Sequence, residues 1–94
     1  MAGSTILLIE DESDVRNLIS RLLSKHDFVV TTAVDGLDGL RKLEEKIPDL
    51  IIADVMMPNL DGLTFVKALK NRPETKGIPI IFLTAKSDPL SMIE

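Results

Sequence analysis

The chain contains no cysteine, which excludes disulfides and thiolate metal sites. It has no excess of basic residues: 11 Lys and Arg stand against 15 Asp and Glu, a net charge of -4. The two signs are interspersed along the helical stretches, so the electrostatic footprint for nucleic acid or for an anionic membrane is missing. With neither a signal peptide nor a long apolar span, a soluble cytoplasmic protein is expected. Low-complexity tracts and internal repeats are also lacking, which sets aside a disordered chain. What remains is 94 residues, 45% hydrophobic and 28% charged. That is enough for one domain with its own core, slightly below the roughly 100 to 200 residues usual for one.

Residues 5–9, TILLI, form a short continuous apolar run, as in a central parallel strand buried on both faces. Val15, Leu18, Ile19, Leu22 and Leu23 then recur at spacings of three and four, one face of a helix with Ser13 as its N-cap and an end near Lys25. FVVTT at 28–32 reads as a second strand. A helix follows from about Asp35, with Leu37, Leu40 and Leu43 three apart and Pro48 as its terminator. Gly39 within it costs about 1 kcal/mol against Ala, which suggests close helix packing. LIIAD at 50–54 is a third strand, and Asp61 can cap a helix carrying Leu63, Phe65, Val66 and Leu69 to about Asn71. RPETKG at 72–77 reads as a loop, and IPIIFLT at 78–84 as a fourth strand with Pro79 at its start.

Strict alternation of strands and helices with connections of this length implies a parallel sheet, right-handed crossovers and helices on both faces. In such α/β sheets ligands bind beyond the carboxyl ends of the strands. Glu10 and Asp11 end the first strand, Asp54 ends the third and Thr84 the fourth, so all four gather at one edge. If the first and third strands are neighbours, three carboxylates share a small volume, and two like charges about 5 Å apart repel by roughly 3 kcal/mol at an effective dielectric near 20. Mg²⁺ would compensate, since it prefers oxygen ligands and uses one or two carboxylates together with phosphate. Asp54 is then a candidate nucleophile that takes a phosphoryl group as an acyl phosphate.

These residues resemble the response-regulator receiver domains of two-component signalling. The match rests on the acidic pair Glu10-Asp11, the segment from Asp54 through Met56, Pro58 and Asp61 to Gly62, and Leu83-Thr84-Ala85. The resemblance implies that Asp54 accepts a phosphoryl group from a histidine kinase or phosphotransfer protein. It also implies that Asp11, Asp54 and the main-chain carbonyl of Met56 ligate Mg²⁺, with Glu10 acting through a water. Thr84 corresponds to a switch hydroxyl and Ala85 to a small residue that leaves the site open. The fold implied is a flavodoxin-like doubly wound parallel sheet, here of four strands in the order 2-1-3-4. The implied product is a signalling switch, not an enzyme.

Against that family pattern, residues 1–94 read as one receiver domain that lacks a fifth strand and fifth helix, with the chain stopping inside a fourth helix capped by Ser87 or Asp88. A Lys that pairs with the phosphoryl group and an aromatic switch residue are expected on the missing strand; Lys86 is a poor substitute. Strand four would then be an open edge. Homo-oligomerisation, or completion by a partner segment through that edge, is expected. The alternative function is a truncated receiver scaffold that acts as an oligomerisation or interaction module without productive phosphorylation. A dehalogenase-like phosphatase would want a second Asp where Met56 stands. His26, at a helix end, is read as a surface residue without a role, and Glu12 as a helix-start carboxylate.

Overall fold

The computed structural model describes residues 3–54 and 62–83. Its elements in chain order are β1 (Thr5–Ile9), α1 (Ser13–Lys25), β2 (Val29–Ala33), α2 (Gly36–Glu45), β3 (Leu50–Asp54), α3 (Gly62–Lys70) and β4 (Ile80–Leu83). All pairings are parallel and the sheet runs β2-β1-β3-β4. This is the expected alternating α/β architecture, with β1 and β3 adjacent at the centre. Their apolar runs, ILLI at 6–9 and LIIA at 50–53, explain why these two strands are covered on both faces.

One face of the sheet packs against α2 and α3: Leu7, Ile9, Ala33, Ile51 and Ala53 meet Leu43, Phe65 and Leu69. The opposite face presents Ile6, Leu8 and Ile52 to Ile19 and Leu23 of α1. Gly39 explains how closely α2 lies on β1. A Cβ built at that position would stand 2.6 Å from Cδ1 of Ile9 and 3.3 Å from Cε1 of Phe65, so the expected tight approach is real.

The helix boundaries differ from the sequence reading in instructive ways. Ser13 is the first helical residue of α1 and Glu12 takes the cap position, with no capping hydrogen bond from its side chain. Asp35 does cap α2, its carboxylate accepting the N–H of Asp38 at 2.8 Å. That helix ends at Glu45, where Lys46 turns extended, before Pro48 could act. β2 lies one residue later than expected, and β4 starts two residues later than expected, at Ile80. The cap assigned to Asp61 and the helix beyond Thr84 lie outside the described residues.

The helical stripes are also narrower than periodicity implies. Leu18 and Leu22 of α1 and Leu37 of α2 are about half exposed. On α2 the face against the sheet is Gly36, Gly39 and Leu43 with Leu40 alongside, so the glycines, not Leu37, occupy the contact. A leucine adjacent in sequence to a contact residue is turned roughly 100° away from it.

Candidate functional site

The sequence places acidic residues where two adjacent strands run out, and the backbone holds them there. Glu10 continues the ladder past β1, its N–H donating to the carbonyl of Ala33 at 3.0 Å. The loop then folds back so that the N–H of Glu12 donates to the Glu10 carboxylate at 3.1 Å. Arg16, in α1, reaches over and donates from Nη1 to the main-chain carbonyl of Glu10 at 3.0 Å. That carbonyl faces the side on which β2 has ended, so the guanidinium replaces a ladder partner. Sequence reasoning missed Arg16; the signal was a cation near the start of a helix, where the dipole favours acids.

Asp54 is the last residue of β3, level with Leu83 of β4. It is 1% exposed, as is Glu10, whereas Asp11 sits at the surface. One carboxylate oxygen from each of Glu10, Asp11 and Asp54 lies within 4.8 Å of the others. The three acids singled out from the sequence therefore meet at the carboxyl ends of β1 and β3. Met56, Thr84 and Ala85, the remaining site residues expected from the sequence, lie outside the described residues, as does Lys86.

Two largely buried carboxylates with a third at the rim form a hard, all-oxygen donor set. Such a set suits a small divalent cation and offers nothing to soft metals. A cavity of about 290 Å³ bordered by Thr5, Thr31, Lys42 and Lys46 lies elsewhere, near the other ends of the strands. We place the site at the carboxylates, because a hydrated cation needs convergent charge more than a deep apolar cavity.

The model of the response regulator receiver domain matches residues 6–94. This chain belongs to that family. Receiver domains are the phosphoacceptor switches of two-component signalling, and the acidic pocket of this family generally binds Mg²⁺. Among curated relatives, the hybrid signal transduction histidine kinase D of Dictyostelium discoideum is 43% identical over 83 residues, 88% of this chain and 5% of that protein. The transcriptional regulatory protein AfsQ1 of Streptomyces coelicolor is 38% identical over 89 residues, 95% of this chain and 38% of that one. This receiver therefore spans well under half the length of either relative. Among solved structures, the chemotaxis response regulator CheY4 of Vibrio cholerae superposes with a TM-score of 0.86 at 33% identity, covering 96% of this chain and 75% of that chain. The strand order agrees with the flavodoxin-like sheet the resemblance implied. Among the described residues, no helix is long and apolar enough to cross a membrane.

Proposed function

We propose that residues 1–94 form a receiver unit that takes a phosphoryl group on Asp54 from a phosphohistidine donor, either a histidine kinase or a phosphotransfer protein. The single observation behind this reading is the convergence of Glu10, Asp11 and Asp54, with their carboxylate oxygens within 4.8 Å of one another. In the step, a carboxylate oxygen of Asp54 attacks phosphorus while the bond from phosphorus to the donor nitrogen breaks. The electron pair leaves with the donor imidazole and an acyl phosphate remains.

Asp11, Asp54 and the main-chain carbonyl of Met56 would hold Mg²⁺, with Glu10 acting through a water. When bound, the ion supplies charge neutralisation for the phosphoryl oxygens. The protein's own residues do the positioning. Burial of Asp54 removes competing water from the nucleophile, and the bonds to the carbonyl and carboxylate of Glu10 fix the turn that carries Asp11. Thr84 is assigned the switch hydroxyl and Ala85 the open approach to Asp54. We place the protein in the cytoplasm, with no direct contact to nucleic acid or membrane.

The test is intact-mass spectrometry after incubation with acetyl phosphate, with and without Mg²⁺, on the wild type and on Asp54→Asn. One added phosphoryl group that needs the metal and disappears in the variant is the expected result. Absence of an adduct on folded protein would instead favour the second reading, an interaction scaffold that works without phosphorylation. That reading draws on β4, which is an edge of the sheet among the described residues and carries Ile81, half exposed. A second copy or a partner segment pairing along β4 is its mode of action.

A further inference from the structure

The opposite edge of the sheet among the described residues, β2, offers a more specific surface. β2 reads Val-Val-Thr-Thr-Ala from Val29 to Ala33, with no charge, proline or glycine. Edge strands normally carry such guards because their free main-chain groups template pairing with another chain. The direction of those groups follows from the ladder. The N–H of Val29 donates to Ser4 and the carbonyl of Ala33 accepts from Glu10, and β2 pairs with β1 in register throughout. Val29, Thr31 and Ala33 therefore spend their main-chain groups on β1, and those of Val30 and Thr32 point outward.

Both ends of this window are closed. The N–H of Phe28 turns to the carbonyl of Leu23 at 3.3 Å, and the N–H of Val34 donates to the Asp38 carboxylate at 3.0 Å. The side chains beside the window leave room: Val29 is 51% exposed and Thr31 is exposed too, so α2 does not overhang this part of the edge.

We infer that β2 is a self-pairing edge, at which two copies of this chain join antiparallel about a two-fold axis at Thr31. The occupant follows from self-complementarity. With Thr31 opposite its own copy, Val30 of each chain lies opposite Thr32 of the other, and each such pair exchanges both N–H···O bonds. All the outward groups in the window are then satisfied and none is left over. Thr31 meets Thr31 as a non-hydrogen-bonded pair, where side chains approach most closely. A foreign peptide could satisfy the same groups, yet nothing at this edge selects one by charge.

The absence of native cysteine makes the register directly testable. Thr31→Cys should form a disulfide-linked dimer on oxidation with copper phenanthroline an order of magnitude faster than the exposed control Asn71→Cys, because only a residue opposite itself has suitable geometry. Thr31→Lys, which sets two ammonium groups at the axis, should sediment as a monomer at concentrations where the wild type associates, with an unchanged circular dichroism spectrum. Val30→Pro removes an outward N–H without touching the β1 ladder and should have the same effect. Equal cross-linking rates at positions 31 and 71 would overturn the inference. So would a dimer that survives Thr31→Lys, since that contact would belong to another surface such as β4.

Discussion

The acidic cluster should make the metal-free protein less stable than it could be, and Asp54→Asn measures by how much. Glu10 and Asp54 are each 1% exposed, with carboxylate oxygens no more than 4.8 Å apart. At that separation and an effective dielectric of about 20, Coulomb's law gives a repulsion of about 3.5 kcal/mol. An amide of the same shape removes that repulsion but makes weaker hydrogen bonds than a carboxylate, which offsets on the order of 1 to 2 kcal/mol. The net expectation is a stabilisation of about 2 kcal/mol in EDTA, or roughly 10 °C in melting temperature for a domain of this size. Adding Mg²⁺ should narrow the gap from the wild-type side, since an ion at about 100 times its dissociation constant stabilises the folded state by about 2.7 kcal/mol. Thermal denaturation of both proteins, with EDTA and then with Mg²⁺, reads each quantity. A variant that melts at or below the wild type in EDTA would refute the claim that like-charge repulsion dominates this site.

Two further perturbations probe the scaffold around it. Gly39→Ala should gain about 1 kcal/mol of helix propensity and lose about 1 to 3 kcal/mol to overpacking. The new Cβ falls 2.6 Å from Cδ1 and 3.2 Å from Cγ1 of Ile9, and Ile9 and Phe65 are both fully buried, so neither can swing aside cheaply. A lower urea midpoint is expected, and a higher one would mean that the Ile9 side chain reorients without cost. Asp38 tests pH linkage: its hydrogen bond from Arg41, with a second from the N–H of Val34, holds its carboxyl below the usual 3.8. A depressed folded value stabilises above the unfolded pKa and loses that contribution as pH falls through the lowered one. Asp38→Asn should therefore cost more stability at pH 7 than well below 3.8, and an equal cost at both would show that the charge of Asp38 contributes nothing.

Much of the fold was legible because β1 and β3 are continuous apolar runs bounded by polar residues, and strands buried on both faces leave that mark whatever surrounds them. LIIAD gave its strand to the residue, and the acids after β1 and at the end of β3 were evident as charges where an apolar run stops. Boundaries set by hydrogen bonds were less legible. The start of α1 shifted by one residue because Glu12 donates its N–H to Glu10, a choice made by the turn and not by capping preference. Exposure was the least legible: Leu18, Leu22 and Leu37 fit helical periodicity yet stand half in solvent.

The sequence alone, then, determined that this chain alternates strands with helices and ends its central strands in carboxylates, since both follow from local polarity and chain order. It also supplied the family's acidic pair and Asp54. The family resemblance already implied that β1 and β3 are neighbours, and the sheet bears this out; only the tertiary structure gave the separation, with carboxylate oxygens of residues 10, 11 and 54 within 4.8 Å of one another. Only it showed Arg16 holding the carbonyl of Glu10, and the main-chain groups of Val30 and Thr32 directed outward from β2. The physical reason is the same in each case. Side-chain separation, side-chain reach and the direction of a main-chain group depend on the register in which segments pair across the sheet, and no local pattern of residues encodes that.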